Sequence, residues 1–265
     1  MTLAFIIGAA VLIGSILVTL FTTKEYSPEE LANFEDPQSE VDIPSDEKSK
    51  LTDIFTDFAK MPTTMRQLSW VQFFSWFGLF GMWVFTTPAI AHHIYGLPLS
   101  DTSSQQYQDA GDWVGILFGV YNLVSAIIAL FFLPYIAKKI GRKSTHAVSL
   151  IIGGIGLISI YFMPDENWVV LPMILIGVAW ASILAMPYAI LAGSIAPKKM
   201  GVYMGIFNFF VVIPQIVNAL IGGPIVKYLY NGDAIYALIT SGVSFLIAAL
   251  LVYKVKDVDD TIQKS

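Results

Sequence analysis

A chain of 265 residues that is 55% hydrophobic and only 13% charged falls outside the range of water-soluble domains, which are about 45–50% apolar and about 25% charged. The absence of cysteine excludes disulfides, thiolate metal sites and cysteine nucleophiles. Much of the net charge of −5 sits in one acidic stretch, and no basic stripe offers itself to nucleic acid.

A hydrocarbon core of about 30 Å needs roughly 20 apolar residues in helical form, because lipid leaves each segment to satisfy its own backbone. Seven stretches qualify, near Thr2–Phe21, Leu68–Ile90, Trp113–Ile136, His146–Phe162, Trp168–Ala192, Gly201–Tyr230 and Ala234–Tyr253. The first carries no Lys or Arg among its six leading residues, which sets it apart from a secretory signal. Lys and Arg then alternate between connections. Lys24, Lys60 and Arg66 flank the first, Lys138, Lys139, Arg142 and Lys143 crowd the third, Lys198 and Lys199 mark the fifth, and Lys254 and Lys256 follow the last span. Tyr95–Asp112 and Pro164–Asn167 carry none, and Lys227 is a mild exception. The expected orientation has the amino terminus outside and the carboxyl terminus in the cytoplasm, in the plasma or inner membrane. Trp113 and Trp168 open two spans on the outer side, where amphipathic rings favour the interface.

Three parts follow: a transmembrane helix over 1–22, an acidic cytoplasmic linker over 23–66, and a six-helix bundle with its tail over 67–265. The linker is expected to stay solvated. Within it Ser27-Pro28-Glu29-Glu30 reads as a helix start, and Leu51, Ile54, Phe55 and Phe58 share one helical face suited to a membrane surface.

The third and sixth spans share a motif. Phe118-Gly119-Val120-Tyr121-Asn122 is followed by Pro134 and Gly141, and Met204-Gly205-Ile206-Phe207-Asn208 by Pro224 and Gly232. The two spans run in opposite directions by the charge count. Spans two to four and five to seven therefore read as an inverted repeat, a construction common among secondary transporters. Gly153-Gly154-Ile155-Gly156 and the pair Gly201/Gly205 read as close-packing surfaces, and Pro187 is expected to kink the fifth span.

No span carries Asp, Glu, Lys or Arg near its centre, where a charge is costly. The polar set is Gln72, Tyr121, Asn122, Tyr188, Asn208, Gln215 and Asn218, with Trp76, Trp83 and Trp180. Singly, such amides serve equally to join neighbouring helices. Together with flat aromatic faces they suit a neutral, hydroxyl-rich ligand. Asp112 and the pair His92–His93 lie near the outer boundary, open to a structural or a pH-linked role. No paired carboxylates, metal-ligand cluster or nucleophile–base pair appears in the spans, so neither an enzyme nor a bound cofactor or metal is expected. A seven-helix receptor shares the span count; a microbial-type rhodopsin is disfavoured because Ala234–Tyr253 contains no lysine for a Schiff base.

Lys139-Ile140-Gly141-Arg142-Lys143 resembles the R-x-G-R-K loop of the major facilitator superfamily. Ala179-Trp180-Ala181 to Met186-Pro187-Tyr188-Ala189-Ile190-Leu191 is similar to the sucrose-transporter-like, glycoside–cation symporter branch. So are Lys199–Asn208, Ile213-Pro214-Gln215 and Gly223-Pro224. The resemblance covers about residues 67–253. It implies an all-α membrane fold in which the last six of seven helices form one half of a transporter, the first helix belonging to a missing amino-terminal half. It further implies a sugar or glycoside substrate, sucrose- or maltose-like, moved by alternating access and coupled to a proton or another cation. Gln72, Asn122, Trp180, Asn208 and Gln215 become the candidate sugar-facing residues, and Lys139, Gly141, Arg142 and Lys143 the loop motif. Partners are the bilayer, the sugar, the coupling ion and the amino-terminal half; another small neutral solute is the alternative substrate. Lys138 stands where the superfamily loop often has an acid, so a weakened charge latch is expected. Proton-coupling groups in this branch are expected mainly in the amino-terminal half.

Overall fold

Apolar side chains surround the first helix, α1 (Thr2–Thr22), all round its circumference, as lipid requires of a span. In the computed structural model, which describes residues 2–23, 58, 60–195 and 200–258, this helix belongs to a unit over Met1–Ser49, separate from a larger unit over Lys50–Ser265. The expected helix start at Ser27 and the apolar face at Leu51, Ile54 and Phe55 lie outside the described residues, as do Lys24, Lys198 and Lys199.

The larger unit is a bundle. Its helices are α2 (Thr63–Ala89), α3 (Gln105–Ile127), α4 (Leu133–Ile140), α5 (Arg142–Ser159), α6 (Val170–Ala192), α7 (Met200–Pro224) and α8 (Ile235–Val252). Among the described residues, seven helical stretches, α1 included, are long and apolar enough to cross a membrane. Several ends reach beyond the apolar segments that mark them in sequence. The second span begins at Thr63 and runs to Ile94, and the third begins at Gln105. Ser104 explains the third: its hydroxyl accepts from the Tyr107 amide at 3.1 Å, starting the helix in polar sequence two turns before Trp113. Asp112 therefore sits on α3 and is exposed. Upstream, hydrogen bonds from Ser104 hold the Asp101 carboxyl below the ordinary carboxylate range.

Packing inside the bundle follows an exchange of the two triplets. α2 packs on α8 as α6 packs on α5; α3 packs on α6 as α7 packs on α2; α5 crosses α8. Swapping α2 with α6, α3 with α7 and α5 with α8 returns the same contacts, the pattern an inverted repeat requires. The middle span of each triplet is the least buried: over the most apolar 18 residues, 22% are buried in Gln105–Ile140 and 17% in Met200–Leu229, against 50–56% for the bundle's other spans. Both middle spans also relax into a π-turn, Ile128–Phe132 and Ile225–Leu229. Pro134 and Pro224 stand beside these turns, each lacking the amide that would continue the regular ladder.

Close approach of the helices rests on small residues. A β-carbon on Gly154 would lie 2.9 Å from the Gly242 carbonyl, and one on Gly242 would lie 2.7 Å from the Gly154 carbonyl. These two glycines let α5 and α8 touch backbone to backbone. Gly201 and Gly205 differ from expectation: no atom lies within 4 Å of a β-carbon built on either, so neither serves as a packing surface in this bundle. α6 continues through Pro187 as one helix.

Candidate functional site

Three indoles meet inside the bundle. Trp76 and Trp83 rise from one face of α2 about two turns apart, and Trp180 faces them from α6. Ring centroids lie 5.9 Å apart for Trp76–Trp180, 5.7 Å for Trp83–Trp180 and 6.3 Å for Trp76–Trp83, each pair edge to face. That geometry matches positive ring edges to negative faces. α3 ties down two of the rings with adjacent residues. The Trp83 Nε1–H donates to the Tyr121 hydroxyl at 3.0 Å, and the Trp180 Nε1–H donates to Asn122 Oδ1 at 3.3 Å. Asn122 also donates through Nδ2 to the Phe118 carbonyl at 2.8 Å. Two of the five candidates, Asn122 and Trp180, are thus joined directly.

Gln72 lies one turn before Trp76 on α2 and is fully buried; neither its Oε1 nor its Nε2 has a hydrogen-bond partner among the described residues, and the same holds for the Trp76 Nε1. Asn208 belongs to a second cluster, where its Oδ1 accepts from the Tyr188 hydroxyl at 3.3 Å and Phe207 stands edge-on to Tyr188. Gln215 donates to the Val211 carbonyl of its own helix at 2.9 Å. No described hydrogen bond or ring contact connects Asn208 or Gln215 to the tryptophan cluster. Asn218 is a tie between helices: its Nδ2 donates to the Phe77 carbonyl of α2 at 2.9 Å.

The loop motif forms a clasp. Gly141 turns the chain at φ +86°, a conformation open almost only to glycine, and Arg142 begins α5. Its Nη2 and Nε meet Asp257 Oδ1 at 2.6 Å and Oδ2 at 3.1 Å, while Nη1 donates to the Ala189 carbonyl of α6 at 3.0 Å. The Asp257 carboxylate is fully buried. Beside it the Lys256 amide donates to Gln67 Oε1 and the Thr64 hydroxyl donates to the Lys256 carbonyl, both at 2.8 Å. Lys143 reaches the Tyr253 carbonyl at 3.4 Å, and Lys139 is exposed. One guanidinium and the tail residues Tyr253, Lys256 and Asp257 so gather α2, α5, α6 and α8 at one end of the bundle. Arg142 takes its acid from the tail and not from the loop. The acid that pairs with Arg142 lies 115 residues away in sequence, and nothing in the span count pointed to it.

His146 was hidden for a different reason, standing at the margin of an apolar run. It is fully buried, and its Nδ1 pairs with the Ser182 hydroxyl at 2.9 Å, joining α5 to α6. At the opposite end His92 and His93 bond the Leu97 and Tyr161 carbonyls at 3.3 and 3.0 Å. A carbonyl only accepts, so both rings present N–H to it; His92 closes its own connection, and His93 ties the second span to the end of the fourth.

The Major Facilitator Superfamily model matches residues 1–219 and 104–264, two overlapping stretches that together take in nearly the whole chain. The chain belongs to the Major Facilitator Superfamily. With that membership the receptor alternative falls, and the protein is a multi-pass member of a family of transporters and not of enzymes. Within the superfamily it is similar to plant proteins. Sucrose transport protein SUT2 of Oryza sativa subsp. indica is 24% identical over 268 residues, covering 92% of this chain and 51% of the relative. Sucrose transport protein SUC3 of Arabidopsis thaliana is 23% identical over 226 residues, with 77% and 38% covered. Sucrose transport protein SUT5 of Oryza sativa subsp. indica is 22% identical over 197 residues, with 65% and 37% covered. The chain spans about half or less of the length of these superfamily relatives.

Proposed function

We propose that this chain supplies the carboxyl-terminal six-helix half of a sugar or glycoside transporter that works by alternating access with a second half and is driven by proton symport. The observation that carries the reading is the cluster of Trp76, Trp83 and Trp180 braced by Tyr121 and Asn122. It sets aromatic faces beside amide groups on three separate spans, and transporter sites are built at such helix interfaces near mid-membrane. Gln72 supports it further: a buried amide without a partner costs about 1–3 kcal/mol, a cost that a hydroxyl-bearing ligand would offset. Resemblance to sucrose transport proteins points to a sucrose- or maltose-like substrate. The clasp at Arg142 suits a bundle that rocks as one body, because it binds four spans at one end. In this reading that end is cytoplasmic, the protein resides in the plasma or inner membrane, and the coupling groups lie mainly in the partner half.

Uptake of labelled sucrose or maltose by cells expressing the full-length protein tests the site, with Gln72, Asn122, Trp180, Asn208 and Gln215 each changed to Ala. Trp180→Ala is expected to lower uptake at limiting sugar about tenfold, since loss of a stacking face worth about 1.4 kcal/mol changes affinity by that factor. Normal uptake by all five variants would sink the assignment. Residues 1–265 alone in liposomes are expected to show no proton-driven uptake, because alternating access needs two halves.

A further inference from the structure

We propose that one water molecule is a resident part of the bundle, held between α2, α7 and α8 by the Asn218 amide and the Ser241 hydroxyl. Asn218 is 5% exposed, and its two polar atoms are placed differently. The Phe77 carbonyl only accepts, so the amide turns its Nδ2 toward it, at 2.9 Å. That orientation points Oδ1 the other way, where no described residue offers it a hydrogen bond. A buried acceptor without a donor is costly, and the surroundings of this one are shaped to supply a donor. Oδ1 lies 2.8 Å from the point where a β-carbon on Gly222 would sit, and the Phe85 ring lies 3.1 Å from the same point. Asn218, Gly222 and Phe85 all border a cavity of about 20 Å³. One water needs about 10–15 Å³, so the cavity takes a single molecule.

Hydroxyls complete the lining. Ser241 is 1% exposed, and its hydroxyl makes no described hydrogen bond. A β-carbon on Gly81 would meet Ser241 Oγ at 2.6 Å and Asn218 Nδ2 at 3.0 Å, so hydroxyl and amide are neighbours over one glycine. Nearer the rim the Thr240 hydroxyl donates to the Tyr236 carbonyl at 2.8 Å, which makes Tyr230 the donor in its 2.6 Å contact with Thr240. A water here accepts from Ser241 and donates to Asn218 Oδ1, with the Tyr230 oxygen open to its second proton. That meets the usual requirement of about three partners. A cation fits poorly, because no charged side chain lines the cavity and an ion without a counter-charge would not recover its lost hydration. Hydrocarbon would leave Oδ1 without a donor. The site belongs to one triplet only: ten residues after the shared Asn, the second repeat has Asn218 and the first has Phe132. No described hydrogen bond joins α7 directly to α8, so the water supplies their polar link.

The test is a crystal structure of the full-length protein at a resolution that shows ordered water, with a second crystal soaked in a thallium(I) salt. One isolated peak is expected in the cavity, within hydrogen-bond reach of Asn218 Oδ1 and Ser241 Oγ and without anomalous signal from thallium. Asn218→Leu replaces the amide with an apolar side chain of similar size, and its cavity is expected to be dry. Ser241→Ala keeps the tie to Phe77, so it decides the matter should Asn218→Leu not fold; its peak is expected to weaken or vanish. A cavity without density in the wild type would overturn the proposal. So would density continuous with a detergent or acyl tail, an anomalous thallium peak, or a water peak of unchanged height in either variant that folds.

Discussion

Two turns at opposite ends of the bundle share a glycine at positive φ and differ in chemistry. Gly141 closes the third span at φ +86° and Gly232 follows the sixth at φ +87°, each after a π-turn in the span before it. At the first turn the next residue is Arg142, which clasps Asp257 and the end of α6. At the second the next residue is Asp233, whose carboxylate accepts from the Ile235 amide at 3.1 Å and caps α8. The same split holds deeper in the bundle. Asn122 of one repeat receives the Trp180 indole, whereas Asn208 of the other receives only the Tyr188 hydroxyl. What the two repeats have in common is how the chain turns and packs; what they do is written in side chains that the repeat leaves free to differ.

That comparison can be broken hardest at the crossing the two triplets share. Gly154→Val should cost more than about 3 kcal/mol, beyond ordinary overpacking, because the added carbon meets backbone that cannot step aside. Gly205→Val should leave the unfolding midpoint of the detergent-purified protein nearly unchanged. Next comes the clasp. Asp257→Ala should cost about 3 kcal/mol, the low end for a buried pair because Arg142 keeps some exposure, and Asp233→Ala only about 1 kcal/mol, the value of a helix cap. The shared turn is sharpened by Gly141→Ala and Gly232→Ala. Each forces an L-residue to a positive φ at about 1–3 kcal/mol, and unequal losses would show that the turns share little beyond that angle. The smallest pair is Tyr121→Phe and Tyr188→Phe. The first should cost about 1 kcal/mol, since it strands the half-buried Trp83 N–H. The second should be within about 0.5 kcal/mol, because the exposed Asn208 can turn to solvent.

The spans were legible because a bilayer imposes length and apolarity on every helix that crosses it, whatever its neighbours. The helix ends were less so. Hydropathy marks the lipid-facing part, and Ser104 caps α3 two turns outside it. Gly153 and Gly154 were read correctly as packing residues, yet Gly201 and Gly205 carry the same composition and meet open space. Of the candidate site, Asn122 and Trp180 come together as a neutral polar pocket would need, while Asn208 and Gln215 find partners elsewhere.

By itself the sequence determined the seven spans, the all-α fold, the family and the repeat, since each follows from local hydropathy or from residues adjacent in the chain. Only the tertiary structure decided that Trp76, Trp83 and Trp180 share one cluster and that Arg142 pairs with Asp257. Only it set the crossing of α5 and α8 backbone to backbone. Those contacts join residues far apart in sequence, and their energy depends on which helix faces which, a matter that no single span can specify alone.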